Sequence, residues 1–225
     1  MNGSSSQVAI ILYPGSNCDR DCERAFKDIF GIGLLKVWHT EVSLPKVRGL
    51  ILPGGFSYGD YLRSGALASF SPIMTAIREH AKKGGSILGI CNGFQILTES
   101  GLLPGTLLRN SQNQFICKKT KLISSKKDFL WKKIVSEKTL DIPVAHKDGR
   151  YYLDANGLKN LEDNDQILLT YENNPNGSAK DIAGISSPCG KILGMMPHPE
   201  RAALPHRRIS TDGKKILEYF LSQAL

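Results

Sequence analysis

Short runs of consecutive apolar residues alternate with segments of helical periodicity through the first half of the chain. Val8-Ala-Ile-Ile-Leu-Tyr13 is apolar at every position and predicts a strand buried on both faces, ended by Pro14-Gly15. From Asp19 to Phe30 the positions Cys22, Ala25, Phe26, Ile29 and Phe30 recur at helical spacing, and Gly31 supplies a stop. Leu34 to Trp38 and Gly49 to Leu52 predict two further strands, the second running into the turn Pro53-Gly54-Gly55. Pro72 to Lys82 predicts a helix closed by Gly84-Gly85. Ser86 to Ile90 predicts a fourth strand, followed at once by a helix at Phe94 to Glu99. That alternation implies an α/β chain with a mostly parallel sheet covered by helices on both faces. Ligands of such sheets sit beyond the carboxyl ends of the strands, where Pro53-Gly-Gly and Cys91 both fall.

The pattern changes after residue 104. Phe115 to Lys121, Leu140 to Ala145, Gln166 to Thr170 and Ile182 to Ser186 are short β-like runs between polar turns. They predict an antiparallel extension of the same domain, so that 7–225 is expected to form one domain. Ile192 to Met196 is a late strand, and Asp212 to Gln223 a closing amphipathic helix.

Composition narrows the class. With 225 residues, 41% hydrophobic and 22% charged, the chain can bury a full core without disulfides or a structural metal. Cys18, Cys22, Cys91, Cys117 and Cys189 are odd in number, irregularly spaced and without a CxxC, which argues against a secreted disulfide framework and against a zinc site. Free thiols, and a start lacking a basic region followed by a cleavage site, fit a cytoplasmic protein. No apolar run approaches the roughly 20 residues that span a bilayer.

The net charge of +8 is concentrated at Lys118, Lys119, Lys121, Lys126, Lys127, Lys132, Lys133 and Lys138. The block contains no arginine, the residue that reads bases bidentately, so a solvated face is favoured over a nucleic-acid surface. A docking face for an acidic partner is the third reading.

Gly89-Ile90-Cys91-Asn92-Gly93 places a nucleophile-type residue at a strand-to-helix turn between two glycines, the physics of a nucleophile elbow. The helix N-terminus there favours a thiolate, and the N–H of Asn92 faces the position of a developing oxyanion. A buried structural cysteine is the plain alternative. A thiolate needs a base, and of His39, His80, His146, His198 and His206 the fourth stands in Met196-Pro-His-Pro-Glu-Arg201. Its prolines predict an extended stretch in which His198 and Glu200 project to the same side, the carboxylate orienting the ring. Gly55 is the candidate second oxyanion donor, although a glycine turn closing a strand would look the same. Residues 58–65 predict a loop over the site, with Arg63 either binding a carboxylate or solvating the loop. No GxxxxGK[ST] is present, so a Walker-type nucleotide site is not indicated.

Four stretches together carry a resemblance: Leu52-Pro-Gly-Gly-Phe-Ser-Tyr-Gly-Asp-Tyr-Leu-Arg63, Gly89-Ile-Cys-Asn-Gly-Phe-Gln-Ile-Leu97, Asn174-Pro-Asn-Gly-Ser178 and Met196-Pro-His-Pro-Glu-Arg201. They resemble the class I, triad-type glutamine amidotransferases, and within these a subfamily that feeds a synthetase of purine biosynthesis. The resemblance implies a flavodoxin-like fold and a Cys91–His198–Glu200 triad, with Gly55 and Asn92 as the oxyanion hole and Gln95 holding the substrate, glutamine. It implies no cofactor or metal in this chain. ATP and magnesium would sit on a synthetase large subunit that acts on formylglycinamide ribonucleotide, with a small third subunit completing the complex. No nucleic acid or membrane partner is implied. One departure is His146-Lys147-Asp148-Gly149, where the family usually shows a Gly-Glu-Gly-like turn. Another cysteine hydrolase of similar design, such as a γ-glutamyl hydrolase or a DJ-1/PfpI-like protein, and a non-catalytic binding module with an inert elbow are the competing readings.

Overall fold

The computed structural model describes residues 7–125, 128–205 and 210–225. Lys126 and Lys127 of the basic block, and His206, lie outside the described residues. The strands are β1 (Val8–Leu12), β2 (Leu35–Trp38), β3 (Gly49–Leu52), β4 (Ser86–Ile90), β5 (Thr106–Leu108), β6 (Ile116–Ser124), β7 (Thr139–His146), β8 (Arg150–Tyr152), β9 (Ile167–Tyr171), β10 (Ile182–Ser186) and β11 (Ile192–Met195). The helices are α1 (Asp19–Phe30), α2 (Ile73–Lys82), α3 (Asn92–Glu99), α4 (Phe129–Ile134), α5 (Ala155–Asp163) and α6 (Gly213–Ala224).

Nine strands form one sheet in the order β2-β1-β3-β4-β11-β10-β9-β6-β7, and β5 pairs with β8 apart from it. The first five are parallel, and every later pairing is antiparallel. Every residue of β3, β4 and β11 is buried, as continuous apolar runs require when both faces are covered. β7 instead alternates, with Leu140, Ile142, Val144 and His146 buried between more exposed neighbours.

Helix α1 buries Cys22, Ala25 and Phe26 and ends at Gly31, whose φ of 68° is the left-handed conformation that the stop requires. Phe26 meets Phe220 of α6 edge-on, with centroids 6.2 Å apart. Burying a side chain such as Phe26 contributes about 1.5–3 kcal/mol.

Four elements were not anticipated. Helices α4 and α5 start at aspartate caps, Asp128 accepting from the N–H of Trp131 at 2.7 Å and Asp154 from that of Gly157 at 2.7 Å. The other two are the short strands β5 and β8. Within the basic block, Lys118, Lys119, Lys121, Lys132, Lys133 and Lys138 are exposed, but Trp131 is fully buried against Tyr219.

Candidate active site

The carboxyl ends of β3, β4 and β11 lie side by side, with Leu52 opposite Gly89 and Met195 opposite Ile90. The chain leaves β4 through Cys91, whose φ of 50° and ψ of −106° are outside the regions a side-chain-bearing residue ordinarily adopts. Its N–H donates to Met195 O at 2.7 Å, so the turn is tied to the neighbouring strand. A Cβ on Gly93 would lie 1.9 Å from Leu52 O, and one on Gly89 2.8 Å from Gly93 C and O. Only hydrogen fits at either place, which is how α3 comes to start so close to the sheet.

Asn92 opens α3, and its N–H has no partner within the helix. The arm after β3 faces it. Gly55 forms an antiparallel bridge with Ser16 through the bonds Asn17 N–H to Gly54 O (3.4 Å) and Phe56 N–H to Gly15 O (2.9 Å), so the bridge leaves the N–H of Gly55 itself unused. The two arms are joined where Ser57 N–H donates to Asn92 Oδ1 at 3.2 Å.

His198 and Glu200 meet, but not by the predicted route. Pro199–Ala202 is a turn of 3-10 helix rather than extended chain, because proline suits the first position of a helical turn as well as it suits a strand. Glu200 Oε1 lies 2.6 Å from His198 Nδ1, and both residues are almost fully buried. Burial works to lower the imidazole's pKa, but Glu200, Cys91 and Cys18 outweigh it, so His198 is held protonated well above the usual histidine range. Its Nε2 has no hydrogen-bond partner among the described residues, and the thiol of Cys91 is turned to Ala145 O, 3.7 Å away. Both residues nevertheless line one cavity of about 240 Å³, together with Gly55, Cys18, Cys117 and Arg201. Phe56 and Phe115, each largely exposed, also line it.

Strand β7 closes the other side. His198 N–H donates to Pro143 O at 2.9 Å, two residues before the carbonyl that the thiol faces. The turn after β7 is held by Asn110, which accepts from Gly149 N–H (3.1 Å), pairs with His146 Nδ1 (3.1 Å) and donates to His146 O (3.0 Å). Burial, reinforced by the charge on His198, pulls the pKa of His146 down to about 4, so this ring is neutral at pH 7. Tyr171 is buried nearby, its phenol pushed well up by desolvation and by Cys91.

Gln95 lies on the first turn of α3, its N–H donating to Cys91 O at 3.1 Å. Its side chain accepts from Asn92 Nδ2 (2.9 Å) and donates to Asp148 O (2.6 Å). Arg63 does bind a carboxylate, that of Glu99, at 3.0 and 2.7 Å.

Sequence reasoning missed Cys18. It caps α1, and Arg201 donates to its sulfur at 3.0 Å. A Cβ on Gly54 would touch both His198 Cε1 (2.8 Å) and Cys18 Sγ (3.0 Å). The available signal was position, since Cys18 follows the carboxyl end of β1. One atom each of Cys18, His198 and Glu200 lies within 4.8 Å of the others, the only group of metal-ligand composition among the described residues. Arg201 donates to the sulfur, and His198 Nδ1 and Glu200 Oε1 engage each other. A larger cavity, about 530 Å³, opens beside Arg48 and Gly85, near the amino ends of β3 and β4. There Arg48 and Lys191 donate to Leu225 O and Gln223 O, both at 2.6 Å, and so close the end of α6.

Residues 5–216 match the family described as a CobB/CobQ-like glutamine amidotransferase domain. The chain is 54% identical over 214 residues to the phosphoribosylformylglycinamidine synthase subunit PurQ of Wolinella succinogenes, covering 93% of this chain and 97% of that one. The corresponding protein of Leptospira interrogans is 50% identical over 217 residues, 96% of this chain and 99% of the other. Among solved structures, a chain from PurLQS of Thermotoga maritima superimposes with a TM-score of 0.83 at 41% identity, covering 96% and 97% of the two chains. The glutaminase domain of Trypanosoma brucei CTPS, at 13% identity and a TM-score of 0.61, shares the fold, with 96% and 94% covered.

Proposed function

Because the chain belongs to the family of CobB/CobQ-like glutamine amidotransferase domains, we propose that it is the glutaminase subunit of a phosphoribosylformylglycinamidine synthase. The observation that carries the reading is the buried His198–Glu200 pair at 2.6 Å, sharing a cavity with a cysteine on a strained elbow. Curated relatives of near-equal length support it.

In this mechanism glutamine enters the cavity and the Cys91 thiolate attacks its side-chain amide carbon. The sulfur first turns from Ala145 O toward His198 Nε2 and attacks as a thiolate paired with the protonated ring, whose charge Glu200 steadies. The oxygen of the tetrahedral intermediate collects negative charge and is met by the N–H groups of Asn92 and Gly55. Collapse breaks the carbon–nitrogen bond, His198 gives its proton to the leaving nitrogen, and ammonia departs. A γ-glutamyl thioester remains on Cys91. Water activated by His198 then attacks it and frees glutamate. Gln95, one turn beyond the nucleophile, helps to hold the substrate with the donor and acceptor capacity its two bonds leave over.

Ammonia passes to a synthetase subunit that uses ATP to convert formylglycinamide ribonucleotide to formylglycinamidine ribonucleotide. The thiol-lined cavity suits an amino acid rather than a nucleotide, which supports assigning ATP and magnesium to that partner. We further infer a small third subunit, a cytoplasmic location and one functional domain over 7–225. Among the described residues no helix is long and apolar enough to cross a membrane.

The test is reconstitution with the synthetase subunits. Cys91→Ala should lower glutamine-dependent synthesis by more than about 10³-fold and leave ammonia-dependent synthesis intact. Loss of both would assign Cys91 to assembly and overturn the mechanism.

A further inference from the structure

Residues 57–65 form a loop whose shape local preference does not supply. Tyr58, Asp60 and Leu62 have φ of 53°, 56° and 68°, and Gly59 and Gly65 have 69° and 83°. Three side-chain-bearing residues in the left-handed region within five positions persist only where surrounding contacts hold them. Tyr61 and Leu62 at the tip are exposed, so the holding contacts are at the ends. At the first end, Ser57 N–H donates to Asn92 Oδ1 and the Tyr58 hydroxyl meets His39 Nδ1 at 2.7 Å. At the second, the buried Ser64 donates to Asp148 Oδ2 at 2.9 Å, and Gly65 lies so near α3 that a Cβ there would be 2.7 Å from Ile96 N.

These contacts close a circuit. From Ser57 the hydrogen bonds run to the Asn92 side chain, on to Gln95, from Gln95 to the carbonyl of Asp148, and from the Asp148 carboxylate back to Ser64. Asn92 is the residue whose backbone N–H is one oxyanion donor, and Ser57 stands two residues beyond the other, Gly55.

We propose that Ser64 and Asp148 form a clasp that holds the 57–65 loop to the β7–β8 turn and, through Gln95 and Asn92, keeps both oxyanion donors aligned. The proposal rests on the glutaminase reading and assigns positioning roles, since neither side chain touches the reacting atoms. Asp148 stands in the stretch where the sequence departs from the family pattern. The clasp works against charge, because the half-buried Asp60 faces Asp148, and burial with that neighbouring charge pushes the pKa of Asp60 up to about 6. Arg109 Nε, 3.5 Å from Asp148 Oδ1, offsets part of this repulsion.

In the complex reconstituted with the synthetase subunits, Ser64→Ala and Asp148→Ala should each lower glutamine-dependent kcat about tenfold, with KM changed less than about threefold. Ammonia-dependent turnover should be unchanged, and Ser64→Thr, which keeps the hydroxyl, should restore most of the rate. Variants that match the wild type, or that lose ammonia-dependent turnover equally, overturn the clasp while leaving the glutaminase reading standing. A wild-type complex that turns over ammonia but no glutamine would sink that reading and the clasp together.

Discussion

The parallel half of the sheet and its antiparallel continuation are built by different rules. In β3, β4 and β11 every residue is buried, and the proposed chemistry falls on the turns that follow, where the backbone itself would be the working part: an elbow at Cys91 and a glycine arm at Gly55. In β6 and β7 one side of the strands is wet, and the contribution to the site is made by carbonyls of β7 and by side chains that hold the adjoining turn, such as Asn110 before β6. In the proposed mechanism the first region supplies reactivity through strain and close approach. The second supplies a wall against which the reactive groups rest. If that division is right, lesions in the first should change rate without changing stability much, and lesions in the second should do the reverse.

The largest effect expected is that of Glu200→Gln, on the order of 10³-fold in glutamine-dependent kcat, because the imidazolium loses its counter-charge while its geometry is kept. The pH dependence has a definite sign. His198 has a folded pKa above its ordinary 6.5, so its protonation stabilises the fold fully below about pH 6.5 and the contribution fades as pH rises through the folded value. Glu200→Gln removes the chief raising influence and should move that fade to lower pH, seen as a shift in urea midpoint against pH. An unshifted profile would mean that Glu200 does not govern the ring.

Next is Trp131→Ala in the continuation. The indole is fully buried, stacks edge-on to Tyr219 at 4.9 Å and donates to Ser124 Oγ at 2.8 Å. Its loss should cost about 3 kcal/mol, read as a lower thermal midpoint. The rate at which 6-diazo-5-oxonorleucine alkylates Cys91 in the folded protein should stay within twofold. A rate that fell with stability would show that the two regions cannot be separated.

The smallest effect belongs to Lys118→Ala and Lys133→Ala, both on exposed positions of the basic block. Each should change stability by less than about 0.5 kcal/mol in thermal melts. A larger loss would give this face a structural part that its exposure does not suggest.

The same division explains what could be read from the sequence. Strands buried on both faces leave unbroken apolar runs, and β3, β4 and α1 begin and end where those runs and their glycine stops place them. In the continuation the information is shared between distant partners. Helix α5 buries only Leu161 and was passed over, although Asp154 three residues before Gly157 is a capping pattern that could have marked it. Helix α4 has six residues inside a run of lysines, where charge hid Trp131, the position that is fully buried. His198 and Glu200 lie 2.6 Å apart, but through a helical turn where the sequence pattern implied an extended backbone, since proline constrains φ alike in both. Cys18 and Asp148 enter the site through tertiary neighbours, Arg201 and Ser64, that no local spacing announces.

One feature of β7 has a bearing on how the protein keeps from associating with itself. It is the border of the nine-stranded sheet, and an unprotected border strand invites another chain to continue the ladder into fibrous aggregates. Here the outward groups are engaged at alternate residues: Asp141 N–H with Asp212 at 2.7 Å, Pro143 O with His198 and Ala145 O with Cys91. An invading strand would have to pull His198 and Cys91 off the border before it could pair. The residues proposed to break the amide therefore also blunt the edge, and a mutation that loosens them carries a second hazard, insolubility, which activity assays alone would not separate from lost chemistry.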